Sequence, residues 1–263
     1  MLAIASISLA FAPLSGISLP RASDASATVD LGALSGAKTL VVFGTYPADF
    51  NMIEYAQKLR HYQDALRAKG IERFVCIANG KPASCTSLAE ILSLPDDVEL
   101  LADESGSAGR AFGVSTGWLA DNADVSPYAK LFGMLLGLGA GNTLPSVITG
   151  YLGNPYGEAG WIQSSLDQGS GAGRWPAVPG DEFENLPVVG SWGRRPLELA
   201  TLRLQNMIGI SIANWQQLQP SDDRCLTQLG GLLAVDADGR PLYQWRDNGI
   251  CATADFEALL RAL

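Results

Sequence analysis

Buried-strand and amphipathic-helix patterns alternate along this chain, and that alternation leaves few folds open to it. The run "TLVVFGTY" from Thr39 is β-branched and aromatic and stops at Pro47, as a buried strand should. A helix is expected next, because Ile53, Ala56, Leu59, Tyr62 and Leu66 recur at roughly helical spacing and Gly70 is placed for a left-handed cap. "RFVCIAN" reads as a second buried strand closed by Gly80 and Pro82, "CTSLAEILSL" as a short helix, "VELLADE" as a third strand and "SAGRAFGV" as a further helical turn. Such an order implies parallel strands joined by right-handed crossovers. Near the C-terminus, "GLLAVDADGRPLYQWRD" predicts a hairpin that turns at "DADG", with Gly239 supplying the positive φ, and "ATADFEALLRAL" predicts a closing helix.

The alternation lapses over about residues 115–222, which read as one long, mostly helical insertion. It holds an apolar helix candidate, "YAKLFGMLLGLGAG", a Gly, Pro and Trp-rich stretch through "GSGAGRWPAVPGDEF", and an amphipathic helix, "PLELATLRLQNMIGISIANWQQL". The aliphatic run from Leu131 to Leu138 is too short and too Gly-rich to read as a membrane span. The two helices are expected to pack together over one face of the sheet. Docking of the apolar run on a membrane surface or protein complex is the alternative.

The N-terminus has a different character. "MLAIASISLAFAP" is a short apolar run ending in small residues, like a signal peptide but without a positive start. "LSGISLPRASDASA" is Ser- and Ala-rich and carries Arg21 against a single acid, Asp24, which is the bias of an organelle transit peptide. The reading is a bipartite presequence over residues 1–27 ahead of one domain over 28–263, delivered to a plastid, with secretion as the competing destination. "AFAP" resembles the Phe-centred cleavage motif of plastid presequences in algae with secondary red plastids. That resemblance implies cleavage after Ala10 and a mature start near Thr28.

A formal net charge of −9 with no basic patch excludes a general nucleic-acid binder, since phosphate neutralisation needs clustered Lys and Arg. The chain has four cysteines and no CxxC, so the strongest sign of a dithiol reductase or zinc site is missing. Cys76 falls inside a strand and reads as a small buried hydrophobe. Cys85 falls near a helix start, where the dipole favours a thiolate. Cys225 and Cys251 lie almost symmetrically about the "DADG" turn, so either a disulfide between them or two thiols is open. "GVSTG" matches a nucleophile elbow formally, yet the sole histidine, His61, precedes Ser115, and the Ser, acid, His order fails. Neither a metal nor a cofactor is expected.

The residues around Pro47 carry a family likeness. "VVFGTYPADF" resembles the AhpC/TSA family, in which a peroxide-reducing cysteine follows the first core strand in the pattern Pro, three residues, Thr, two residues, Cys. Here that spacing is filled by Pro47, Asn51 and Glu54, after Tyr46. "LLADESGSAGRAFGV", with Asp103 and Phe112, and "LTQLGGLLAVDADGRPLYQWRDNGICATADFEALL", with Gln228, Gly230, Gly231 and Asp247, are similar to later parts of that family's peroxiredoxin-like branch. "RRPLELATLRLQNMIGISIANW" is similar to a helix of its cyanobacterial and plastid members.

The resemblance implies a thioredoxin-like fold and a redox or antioxidant-related role. It also implies no conventional thiol peroxidase, because a carboxylate has no sulfur to accept an oxygen and be recycled. Asn51 could cap the helix with Glu54 reaching back, as in a capping box, or Glu54 could hold an anion where the thiolate would stand. Any thiol chemistry would use Cys85, Cys225 or Cys251. The opposing reading is a non-enzymatic protein that docks on a plastid partner, such as a photosynthetic complex, through the old active-site turn and the insertion.

Overall fold

A computed structural model of the chain describes residues 12–149, 160–174 and 200–263. Two short strands, β1 (Ser18–Pro20) and β2 (Thr28–Asp30), pair antiparallel in a small ribbon. The main sheet follows from β3 (Thr39–Phe43), β4 (Arg73–Ala78), β5 (Val98–Ala102), β6 (Gly231–Val235) and β7 (Pro241–Arg246), in the order β5-β4-β3-β6-β7. The first three are parallel and β6 and β7 are antiparallel, so the sheet is mixed. The crossovers are α1 (Phe50–Ala68) and α2 (Pro82–Leu92), and α3 (Ser107–Phe112) follows β5. This is the thioredoxin-like α/β arrangement that the alternating sequence implies.

Side-chain alternation splits the core into two layers. Leu40, Val42, Phe74, Cys76, Leu232 and Ala234 face α1, whose Ile53, Ala56, Leu59, Tyr62 and Leu66 are all buried as their spacing predicts. Gly70 ends α1 at φ +85°, a backbone state that favours glycine. Val41, Phe43, Val75, Ile77, Leu101, Leu233 and Val235 face the other way, where Phe112 stacks on Phe43 with ring centroids 4.3 Å apart.

That second face is completed by the N-terminal arm. Leu14, Leu19, Leu31 and Leu34 are buried against it. The Ala22 N–H donates to the Leu100 carbonyl at 2.8 Å, and Arg21 reaches Glu99 at 2.8 Å, so the arm also covers the outer edge of β5. Residues 12–27, expected as presequence, are thus packed into the domain. Cleavage after Ala10 would spare them, whereas a start near Thr28 would strip Leu14 and Leu19 from the core.

The insertion contributes α4 (Pro127–Leu135), α5 (Thr143–Val147), α6 (Gly160–Gly171), α7 (Ala200–Ala213) and α8 (Trp215–Leu218). Its packing differs from expectation. α7 packs on α6 and α1, whereas α4 packs on α5 and on the tight turn at Asp223–Leu226. The helix α6, hidden in a Gly- and Trp-containing stretch, buries Trp161 and Leu166 and takes the place beside α7 that α4 was expected to fill. Most of the Pro-rich stretch and the start of the second inserted helix candidate lie outside the described residues. The hairpin turns at Gly239, with φ +75°, and α9 (Phe256–Ala262) packs on α1 and β7.

Leu14 is fully buried. Leu14→Ala should lower stability by about 2–5 kcal/mol, read as a reduced urea midpoint with an unchanged slope. A chain begun at Thr28 should lose more than this single truncation; equal stability of the two would show that the arm adds nothing to the core.

Candidate functional site

The first turn of α1 sits where β3 ends, in the turn Gly44–Asp49. Tyr46 is buried in it, edge-on to Trp215 with centroids 6.2 Å apart, and burial raises its phenol pKa well above the usual value. Pro47 closes against Gly80, where an added Cβ would approach its ring to 3.0 Å. Asp49 is the N-cap residue, so Asn51 and Glu54 lie inside the helix. The capping box expected of Asn51 and Glu54 therefore does not form. Both side chains are turned into the protein instead.

Asn51 ties α1 to the loop after β7. Its Nδ2 donates to Asp247 Oδ2 at 2.9 Å, and its Oδ1 accepts the Cys251 N–H at 2.6 Å. Tyr55, one helical turn on, donates its hydroxyl to Asp247 Oδ1 at 2.6 Å and accepts the Ala254 N–H at 3.1 Å. The Trp245 indole donates to the same carboxylate oxygen at 3.1 Å. Gly230 makes room: a Cβ there would stand 2.9 Å from Asp247 Oδ2 and 2.7 Å from the Phe43 carbonyl. Asp247 is fully enclosed, and burial pushes its pKa up to about 7 against the pull of the Tyr55 and Asn51 hydrogen bonds.

Glu54 is the centre of a second buried cluster. Oε1 pairs with Lys58 Nζ at 2.7 Å and accepts the Thr253 hydroxyl at 2.5 Å, while Oε2 pairs with the Arg203 guanidinium from α7. Lys58 also donates to Thr253 Oγ1 and to the Ala254 carbonyl. Trp161 of α6 meets both cations, with Lys58 Nζ 5.1 Å and the Arg203 guanidinium 4.7 Å from its ring. Burial opposes ionisation of Glu54, but Arg203 and Lys58 outweigh it and hold the carboxyl below its ordinary pKa. Glu54, Lys58 and Arg203 are each almost wholly buried, so this anion is spent inside the fold rather than offered to a ligand. The cluster carries one negative and two positive charges, and ionised Asp247 beside it would make it neutral.

The cysteines are thiols that fall in separate places. Cys76 is inside the sheet, and burial pushes its pKa up to about 12. Cys85 occupies the first turns of α2, its sulfur 3.8 Å from the Ala78 carbonyl, and burial raises its pKa far above the range a helix dipole could offset. Cys225 is enclosed with its sulfur 3.8 Å from the Glu104 carbonyl, and burial pushes it up to about 12. Cys251 alone of the four is half-buried. It stands in the left-handed region at φ +63°, a strained state for a residue with a side chain.

Lys58, Arg203, Tyr55 and Thr253 went unnoticed in the sequence. Lys58 had a signal, since Glu54 and Lys58 are four apart on one helix face. Arg203 and Thr253 had none, because only the chain path brings them to α1. Ser115 lies in a loop and accepts the Gly117 N–H, and His61 is exposed, so neither forms part of a hydrolytic triad. Among the described residues, no group of three or more His, Cys, Asp or Glu could hold a metal ion. The groove between the N-terminal arm, α2 and β5, lined by Arg21, Thr86, Glu90, Ser93 and Glu99, shares no residue with either cluster.

The family model described as AhpC/TSA antioxidant enzyme matches residues 58–249. The match spans β4 to β7 with the whole insertion between them, and it begins within α1, past Tyr46, Pro47, Asn51 and Glu54. A search of curated proteins finds no match to the chain.

Removing the buried anion should be severe. Glu54→Gln leaves two buried cations sharing no carboxylate, and a loss of about 3–5 kcal/mol is expected in urea titrations at pH 7. Because the folded pKa of Glu54 is depressed, its contribution is present above its ordinary value of 4.5 and fades as pH falls through the folded value. Asp247 acts in the opposite sense. Its contribution is largest below the ordinary 3.8 and declines as pH rises toward about 7, where the native group also ionises. Asp247→Asn should therefore flatten the stability profile between those two values, and an unflattened profile would remove Asp247 from the titration.

Proposed function

The chain belongs to the AhpC/TSA antioxidant enzyme family, and on that premise we propose that it is a peroxiredoxin-like redox protein whose reactive sulfur is Cys251. One observation carries this reading. Cys251 is the least buried of the thiols, and its backbone N–H is bonded to Asn51 in the first turn of α1. A thiol on the facing loop is thereby brought to the helix end where the family resemblance places the peroxidatic sulfur and this chain has Glu54.

In the reaction proposed, the Cys251 thiolate attacks the terminal oxygen of a hydroperoxide. An S–O bond forms as the O–O bond breaks, and the alkoxide leaves as an alcohol after taking a proton. An external thiol then displaces the sulfenic oxygen as water, giving a mixed disulfide that a second thiol reduces. Glu54 does not react, because both of its oxygens are held by Thr253, Lys58 and Arg203. The role is placed in a plastid on the strength of the Ser- and Ala-rich arm and the "AFAP" stretch at Ala10–Pro13.

A non-enzymatic docking role is the second reading, and a specific observation favours it too: α4 exposes large apolar side chains that no described element covers.

Hydroperoxide consumption with a small dithiol as donor separates the two. Cys251→Ser should abolish turnover, while Cys85→Ser and Cys225→Ser should leave it within about twofold, since both of those thiols are buried with raised pKa values. No turnover by the unaltered protein, or turnover that survives Cys251→Ser, would defeat the redox reading.

A further inference from the structure

The helix α4 is amphipathic the wrong way round for a soluble surface. It buries Lys130, Gly133 and Met134 and exposes Tyr128, Phe132 and Leu135, which with Leu136 at its C-cap are four positions that share one stripe at helical spacing. Phe132 is 63% exposed and Leu136 62%. The Lys130 ammonium is turned inward, donating to the Ala120 carbonyl at 3.0 Å. The apolar surface continues past α4 at Leu138, which stands between Gly137 and Gly139, both at positive φ. It continues again at Leu144 of α5 and at Ile148, which caps that helix, and α5 packs beside α4.

Charge decides what such a surface can meet. From Val125 to Thr149 the only Asp, Glu, Lys, Arg or His is the buried Lys130, so the exposed face carries no formal charge. Protein interfaces of specific kind enrich Arg and aromatic anchors and place hydrogen-bonding groups around them. This face offers mainly aliphatic side chains. Among the described residues no helix is long and apolar enough to cross a membrane, which leaves lying on the surface as the mode open to α4. The remainder of the chain is acidic, with a formal net charge of −9, and would be repelled by anionic headgroups.

We propose that the α4–α5 face is a membrane-association surface that inserts Phe132, Leu135, Leu136 and Leu138 into the interface of a bilayer of zwitterionic lipid. Tyr128 lies at the start of the stripe, where its phenol can stay among headgroups while its ring is buried. Association is driven by apolar burial, so it needs no basic patch and is indifferent to salt. This surface is independent of Cys251, and it stands or falls whether or not the protein reduces hydroperoxides.

The test is co-sedimentation of the full chain with phosphatidylcholine vesicles at about 0.05 M and about 0.5 M NaCl. Binding should be equal at the two salt concentrations, and replacing part of the lipid with phosphatidylglycerol should weaken it at low salt. Phe132→Ser combined with Leu136→Ser should lower the vesicle partition coefficient by roughly tenfold or more with an unchanged far-UV spectrum. Leu242→Ser, an exposed leucine on β7 outside the face, should leave it unchanged. Failure to bind phosphatidylcholine, or binding that requires anionic lipid and disappears with salt, would overturn the proposal. So would a dimer in sedimentation equilibrium that the double variant converts to monomer, because the face would then belong to a second copy.

Discussion

A carboxylate without water must find its counter-charge inside the protein, and the arrangement of this molecule follows from where Glu54 finds it. One partner, Lys58, lies a turn away on the same helix and needs no tertiary structure. The other, Arg203, comes from α7, far along the chain. Two cations brought against one anion would be poor electrostatics if nothing else shared the load. Trp161 of α6 offers its ring to both, and Thr253 and the Ala254 carbonyl take up remaining hydrogen bonds. The insertion is consequently fastened to the thioredoxin-like body through its charged residues as well as its apolar ones, Met207 and Ile210. A buried ion cluster of this kind is a weak source of net stability, and its structural effect here is to tie α7 to α1 at one point, Arg203 on Glu54, with Trp161 of α6 stacked over both cations.

The Asn51–Asp247 contact does for the loop after β7 what Glu54 does for the insertion. Asn51 is a donor to one acid and an acceptor for one backbone amide, and it can serve both only if the loop crosses the helix in a single way. That crossing forces close backbone approach at Gly249, where a Cβ would meet the Thr143 nitrogen at 2.5 Å. It also holds Cys251 at positive φ, so the strain in the loop and the placement of its sulfur have one cause.

Much of this was legible from residue pattern, and the part that was not has an identifiable physical origin. Continuous apolar, β-branched runs located the inner strands, buried on both faces, and the spacing of Ile53, Ala56, Leu59, Tyr62 and Leu66 located α1, because burial of one helix face leaves a mark in every turn. Gly70 and Gly239 were legible because few other residues tolerate their backbone angles. Asn51 and Glu54 looked like helix-capping residues since local spacing cannot reveal whether a polar side chain turns outward to its own helix end or inward to a partner. The apolar content of α4 was visible, but periodicity does not say which side of a helix faces the protein, and here the small residues and the lysine do. The N-terminal arm joins two properties: its Ser- and Ala-rich composition matches a targeting segment, while Leu14 and Leu19 are buried in the core and Ile17 and Ala22 pack against it.

The two clusters at α1 bear on what a buried carboxylate does in the first turns of the helix that follows the first core strand. A thiolate at a helix N-terminus is useful because it is accessible, weakly hydrated and stabilised by the dipole. A carboxylate there would be stabilised equally well, but Glu54 lies deeper than the first free N–H groups and reaches instead for side-chain cations. Once Arg203 and Lys58 are committed to it, neither remains to lower the pKa of a neighbouring thiol, and Cys85 and Cys225 lie too deep in apolar surroundings to ionise near neutrality. Under the proposed redox reading the available sulfur is therefore Cys251, half-buried on the loop that the Asn51 contact holds, while the charges around Glu54 secure the insertion.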